Sequence, residues 1–370
     1  MRLAIPADLL PADGRFGSGP SKVPAGRLEA LAATGAGLMG TSHRQAPVKQ
    51  LVRRVRDGLA ALFDLPEGYE VVLGNGGSIG FFSLATYALI RERSQHVVYG
   101  EFAKKFAAEA TAAPWLRDPT IVGAPHGARA LASFEADVDV YAWTHNETST
   151  GVMSPVLRPE GATPDQLVLV DATSAAGGLP LDVRESDVYY FAPQKSFASD
   201  GGLWIALMSP AAIARAEELA GDRHIPAFFN LVDAIKQSRL DQTVNTPAVA
   251  TLYLMAEQLD WMNAAGGLTG MVQRTAASAE ALYTWAEASP YAAPFVADPA
   301  HRSLVVGTVE LDPAIDRVAV MDHLRENGIV DVDAYRGVGV NQLRIAMYPS
   351  VDAADVTALT RCIDYVVERL

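Results

Sequence analysis

The 370-residue chain has a single cysteine, Cys362, so no disulfide can form within it, which fits a reducing compartment. Positive charge is in deficit. Thirty Lys and Arg against 43 Asp and Glu leave a net charge of −13, which argues against a broad nucleic-acid or anionic-membrane surface but permits a local basic pocket. Long apolar runs are missing too: the longest, residues 81–90, is too short to span a bilayer. The first residues, Met1-Arg2-Leu3-Ala4-Ile5-Pro6, lack the apolar centre of a secretory signal. A cytoplasmic protein is expected. No internal repeat, low-complexity tract or cluster of metal-ligating residues stands out, and no metal is expected.

What is present is an ordinary globular composition, 49% hydrophobic and 20% charged, at a length that fits about two domains. Strand-like runs near residues 71, 97, 139, 168, 189 and 204 are separated by helical stretches, the pattern of an α/β fold. Helical spacing is clearest over 24–34, 47–63, 81–90 and 247–262. Beyond it come helices over 268–288, 315–327 and 353–370 and strands over 304–310 and 342–346. The expected division is a large domain over 17–262 and a small C-terminal α+β domain over 263–370, with the arm 1–16 packing near the latter.

Chemistry concentrates in one stretch. Val168-Leu169-Val170-Asp171 and Tyr189-Tyr190-Phe191 read as buried strands, followed by Asp171 and Lys195 at their carboxyl ends. In open α/β sheets ligands gather at those ends. An acid and a lysine so placed suit pyridoxal phosphate: the lysine amine condenses with the aldehyde, and the carboxylate keeps the pyridine nitrogen protonated. A plain ion pair, or two side chains in separate solvated loops, is the competing explanation. Gly74-Asn75-Gly76-Gly77-Ser78-Ile79-Gly80 is a glycine-rich turn running into a helix, and a helix N-terminus is a ready phosphate cradle. A dinucleotide-binding turn is the rival, but no acidic strand end follows about twenty residues on.

Other residues have structural readings of their own. Ser18 lies in a glycine-rich turn, Arg53, Arg54 and Arg56 read as a solvated helix face, and Cys362 as core. Asn245-Thr246-Pro247 is a helix-start signal, with Thr246 as N-cap and Pro247 at the first helical position.

Val-Asp-Ala-Thr-Ser around Asp171 and Ala-Pro-Gln-Lys-Ser around Lys195 resemble the class V, fold-type I pyridoxal-phosphate-dependent aminotransferases. So do Ser-Gly-Pro at 18–20, Ser-His-Arg at 42–44, Asn-Glu-Thr-x-x-Gly at 146–151 and Asn-Thr at 245–246. The resemblance runs from Phe16 to Tyr348 and is greatest to the phosphoserine aminotransferases within that class. It implies a large domain with a mostly parallel, helix-covered sheet, and a homodimer. It also implies cofactor contacts from Gly77, Ser78, Ile79, Phe102, Thr148, Asp171, Gln194 and Lys195, with Asn245 and Thr246 reaching the partner's cofactor. Substrate contacts fall to Ser18, His43, Arg44, Arg336 and Arg344, the last on the α-carboxylate. The implied substrates are L-glutamate and 3-phosphohydroxypyruvate, with the related phosphorylated step of pyridoxine synthesis a further expectation. There are departures: Ile79 and Phe81 stand where some members have Arg and Gln, Phe102 where some have Trp, and Tyr335 where a His is common. Another class V enzyme, such as an alanine–glyoxylate aminotransferase or a cysteine desulfurase, and a non-catalytic binding protein remain the alternatives.

Overall fold

The computed structural model describes residues 3–339 and 341–370. Helices α1 (Ala25–Ala33) and α2 (Ala46–Leu62) lead into β1 (Glu70–Asn75), α3 (Ser78–Ala88), β2 (Ser94–Val98), α4 (Glu101–Ala112) and β3 (Thr120–Gly123). Next come β4 (Val140–Thr144) and a small hairpin of β5 (Asn146–Glu147) and β6 (Val152–Met153). Three strands follow: β7 (Leu167–Asp171), β8 (Val188–Phe191) and β9 (Leu203–Met208). Then α5 (Pro210–Asp222), α6 (Leu231–Arg239) and α7 (Val249–Ala264) precede α8 (Gly267–Ala288). The chain ends with β10 (Ala292–Pro294), β11 (Val306–Leu311), α9 (Arg317–Glu326), β12 (Gln342–Ala346) and α10 (Ala353–Val367).

Seven strands form one sheet in the order β1-β9-β8-β7-β4-β2-β3. Strands β2, β3, β4, β7 and β8 run parallel, while β9 is antiparallel to both its neighbours, β8 and β1. Two reversals restore direction, so β1 points the same way as β7 and β8. Alternation along the central strands feeds two cores. Val168, Val170, Tyr189 and Phe191 join a cluster with α2 and α7, whereas Leu167, Leu169, Val188 and Tyr190 join one with α3 and α5. Strands buried on both faces read as continuous apolar runs of β-branched and aromatic residues, as these do.

On α2 the expected stripe Val48, Leu51, Val52, Val55, Leu59 and Leu62 is buried. Its arginines do more than face solvent: Arg53 and Arg56 pair with Asp241, and Arg54 with Glu257 and Asp260. The C-terminal part is a three-stranded antiparallel sheet, β10-β11-β12. Its cluster takes in Leu343, Ile345, Leu359 and Cys362, together with Ile5 and Phe16 from the arm. Cys362 is fully buried, and burial pushes its thiol up to about 11, so it is core, as its position on α10 implies.

Three elements differ from expectation. A full helix, α4, follows β2, outside the ranges where helical spacing is clearest. Its apolar face is made of Ala103, Phe106, Ala107 and Ala110, and alanine gives the helical period little contrast. Helix α3 begins at Ser78, directly at the glycine turn. Helix α7 begins at Val249 with Ala248 as N-cap and no side-chain cap, so Thr246 is not a cap. Its carbonyl instead accepts from Asn75 Nδ2 at 2.8 Å, and its hydroxyl meets His43 Nδ1 at 3.2 Å. Those contacts hold residues 245–248 out of the helix.

Candidate active site

Asp171 is the last residue of β7, 5% exposed. Thr173 donates to its Oδ1 twice, from N–H at 2.9 Å and from the hydroxyl at 2.6 Å. Burial raises its pKa, against the Thr173 bonds and the attraction of Lys195. Lys195 follows β8 in a turn stitched to residues 18–21: Ser21 Oγ donates to Lys195 O at 2.7 Å, and Ser21 N to Gln194 O at 2.8 Å. Gly19 sits on the lysine stem. At its φ of +148° a Cβ would lie 2.8 Å from Lys195 Cε, so only glycine fits there without strain.

Lys195 and Asp171 share one cavity without pairing. Lys195 is 6% exposed, and its Nζ donates instead to Thr148 Oγ1 at 2.8 Å. Burial lowers its pKa to about 8, Asp171 opposing and Arg344 assisting. A buried amine near neutrality is a nucleophile held in reserve.

The cavity measures about 420 Å³. Ser18, Gly77, Ser78, Ile79, Phe102, Thr148, Asp171, Gln194, Lys195 and Arg344 all line it. At one end lies the N-terminus of α3, where Gly77 is extended and no side chain caps the first turn. A Cβ on Gly77 would meet nothing within 4 Å, so the backbone is open to a bulky anion. Ser78 Oγ bonds Thr173 Oγ1, which ties this end to Asp171.

Phe102 forms the wall on the first turn of α4. That turn is fastened from below: Ser149 Oγ accepts from Glu101 N–H, while the fully buried Glu147 carboxylate accepts from Phe102 N–H and Ala103 N–H. The Phe102 ring centroid lies 5.3 Å from Lys195 Nζ. Arg344, on β12, donates to Thr148 O at 3.2 Å, and burial lowers its pKa.

Four buried polar atoms on lining residues have no partner among the described residues: Ser18 Oγ, Asn146 Oδ1, Gln194 Oε1 and Arg344 Nε. Orphaned groups of this kind cost about 1–3 kcal/mol each unless a ligand or water meets them. Together with an uncapped helix end and a buried carboxylate beside a low-pKa lysine, they fit pyridoxal phosphate, an anion joined to a pyridine ring and an aldehyde.

Five expected residues lie elsewhere. Arg44 donates to Gln242 Oε1 at 2.9 Å, and His43 meets Thr246, so His43, Arg44 and Thr246 with its neighbour Asn245 form a second cluster outside this chain's own cavity. Arg336 is exposed and does not line the cavity. Sequence reasoning missed Gly19, Asn146, Thr173, Ser174 and Tyr335 as lining residues. The first four flank motif residues, so the signal was adjacency. Ser174 Oγ accepts from both Asn146 Nδ2 and Thr148 Oγ1 at 2.8 Å.

The aminotransferase class-V family model matches residues 16–359. The chain is 66% identical to a phosphoserine aminotransferase of Nocardioides sp., covering all of this chain and 99% of that relative. Among solved structures it resembles a phosphoserine aminotransferase from Cytophaga hutchinsonii, with a TM-score of 0.88 and 22% identity over 95% of this chain and 99% of that one. It also resembles the phosphoserine aminotransferase of Bacillus circulans subsp. alkalophilus, with a TM-score of 0.85 and 22% identity over 96% and 99%. At those identities the structures speak for the shared fold alone. With the family model matching nearly the whole chain and a full-length relative at this identity, the chain belongs to the class-V aminotransferase family.

Proposed function

We propose that this protein is a pyridoxal-phosphate-dependent aminotransferase that moves the amino group between L-glutamate and 3-phosphohydroxypyruvate. The products are O-phospho-L-serine and 2-oxoglutarate, as in serine synthesis. One observation carries the reading: Lys195, Asp171, the open end of α3 and Arg344 converge on one cavity. The 66% full-length identity to a phosphoserine aminotransferase supports the choice of substrate.

Bound pyridoxal phosphate supplies an aldehyde that exchanges amines and a ring that takes up the electron pair released at the substrate's α-carbon. The first turn of α3, with Ser78, takes the phosphate. Asp171 would keep a proton on the ring nitrogen, and that charged nitrogen would in turn give the buried carboxylate a positive neighbour. Phe102 covers the ring face. Arg344 offers a planar fork to the α-carboxylate, and Ser18 and Gln194 supply the remaining polar contacts. Lys195, whose pKa burial lowers to about 8, would hold the cofactor and would move the proton at the α-carbon.

The active form we propose is a homodimer. Asn245 and Thr246 lie outside their own cavity and share a cluster with His43 and Arg44, which fits all four serving the partner's cavity. There His43 and Arg44, with Arg336, would take the distal anionic group. We read residues 17–262 and 263–370 as the two domains and the cytoplasm as the location; no described helix is long and apolar enough to cross a membrane. Against a cysteine desulfurase stands Cys362, buried in the C-terminal cluster away from the cavity.

The test is spectroscopic. The purified protein should show the visible absorbance of lysine-bound cofactor, and O-phospho-L-serine should convert it to the amine form at far lower concentration than L-serine, L-alanine or L-cysteine. An equal or better response to alanine would remove the substrate assignment. Absence of the band after adding cofactor would remove the role of Lys195.

A further inference from the structure

An exposed cation beside two lining residues, Phe102 and Tyr335, has no part in the reading above. Lys105 is on α4, one turn after Phe102, so its side chain folds back over that residue. Its ammonium lies 4.8 Å from the Phe102 ring centroid and 3.4 Å from the Tyr335 hydroxyl, to which it donates. Among the described residues it forms no ion pair. Of the acids on α4, Glu101 faces His126 and Glu109 accepts from Ser83; the neighbouring Lys104 is exposed.

Tyr335 joins this cation to the cavity. Its ring lines the cavity, meets Phe102 edge-on at 5.5 Å, and carries the Arg344 guanidinium 5.3 Å above it. Two cations therefore flank one aromatic ring, Arg344 at its face and Lys105 at its hydroxyl. Because that hydroxyl accepts from Lys105, its own hydrogen is free to donate elsewhere. The arrangement presents two anion sites separated by roughly the size of a phenol. A short amino acid or keto acid with an anion at each end has the matching shape.

We propose that Lys105 and the Tyr335 hydroxyl form a contact for the substrate's distal anionic group while Arg344 takes the α-carboxylate. The inference rests on the proposed reaction. It adds Lys105 and Tyr335, from this chain itself, to the grip assigned to His43, Arg44 and Arg336. Coulomb attraction scales with charge, so a phosphate dianion gains more from Lys105 than the side-chain carboxylate of glutamate does. The contact therefore favours the phosphorylated substrate over glutamate, and both over a substrate with no distal charge.

The test uses the holoenzyme and the variants Lys105→Gln, Lys105→Arg and Tyr335→Phe. The first readout is kcat/KM for cofactor conversion by O-phospho-L-serine, L-glutamate and L-alanine. The second is the calorimetric Kd of 3-phosphoglycerate, which carries both anions but has no amine or keto group to react. Lys105→Gln should lower the phosphoserine-to-alanine ratio by about five- to tenfold, the size of a charge-assisted contact discounted for solvent exposure. The glutamate-to-alanine ratio should fall by less. The 3-phosphoglycerate Kd should weaken in parallel, and its dependence on salt should flatten. Lys105→Arg should retain most of the discrimination, and Tyr335→Phe should lose part of it. A ratio that stays at the wild-type value in Lys105→Gln overturns the proposal. So does an equal loss on all three substrates, since that marks a role only in packing Phe102 and Tyr335. A wild-type enzyme that does not prefer phosphoserine over alanine counts against the proposed reaction instead, so the two failures are distinct.

Discussion

Glu147→Gln tests how the wall of the cavity is held. The Glu147 side chain is fully buried, and its Oε1 accepts from Ser149 Oγ at 2.7 Å and Ser149 N–H at 3.3 Å. Oε2 accepts from Phe102 N–H at 3.2 Å and Ala103 N–H at 3.1 Å. Glutamine has the same shape but only one acceptor oxygen. With that oxygen at the Ser149 side, its NH2 faces two backbone N–H groups and strands at least one donor, which costs about 1–3 kcal/mol. The negative charge beneath the N-terminus of α4 is lost as well, worth about 0.3–1 kcal/mol and up to about 2 in a buried setting. Relief of burying a charge, the cause of Glu147's raised pKa, offsets part of this. The expected net loss is about 1–3 kcal/mol in urea unfolding of the apo protein, with faster amide exchange at residues 101–103 and weaker cofactor retention. Glu147→Ala, which strands every donor and leaves a void, should lose about 3–5 kcal/mol. If Glu147→Gln matched wild type within about 0.5 kcal/mol and left exchange at 101–103 unaltered, the carboxylate would not be what fastens Phe102.

Three further outcomes are expected. Lys195 has a folded pKa of about 8 against an ordinary 10.5, so the unfolded chain binds the extra proton between those values and burial of the charged amine is penalised below about pH 8. Apo Lys195→Met should therefore exceed wild type in stability by on the order of 3 kcal/mol near pH 7, the gain shrinking toward pH 10; a pH-independent difference in urea unfolding would refute the cause assigned. Gly19→Ala should displace the Lys195 stem through its 2.8 Å contact and weaken cofactor binding by about tenfold or more, at a strain of about 1–3 kcal/mol; wild-type affinity in an absorbance titration would count against the close approach. Mixing Lys195→Ala dimers with Asn245→Ala/Thr246→Ala dimers should restore about a quarter of wild-type activity, because half the dimers are hybrids with one intact site each. No recovery after verified subunit exchange would place Asn245 and Thr246 outside the partner's cavity.

The strands that lead to Asp171 and Lys195 were legible because each is buried on both faces and so reads as an unbroken apolar run. The open α3 terminus was legible because glycines precede it. Helix α4 was hidden by its alanines: Ala103, Phe106, Ala107 and Ala110 have the right spacing but little hydrophobic contrast. Thr246 has the local chemistry of an N-cap, and the contacts that overrule it come from Asn75 and His43, far away in sequence. Two cations beside Tyr335 show the same limit. Arg344 was found through its motif, whereas Lys105 is one exposed lysine among others until the fold sets Tyr335 against it.

Strand β9 has a geometric consequence for the cavity. By running against both β1 and β8 it lets the first strand of the sheet deliver its carboxyl end beside those of strands formed much later in the chain. It also acts as a ruler. Neighbouring strands lie about 4.8 Å apart, so one interposed strand sets β1 and β8 about 10 Å from each other. The strand ends from which the α3 turn and the lysine turn depart are thereby kept at a separation fixed by backbone hydrogen bonds. Any ligand that bridges them is measured against a length that side-chain substitutions at the rim leave intact.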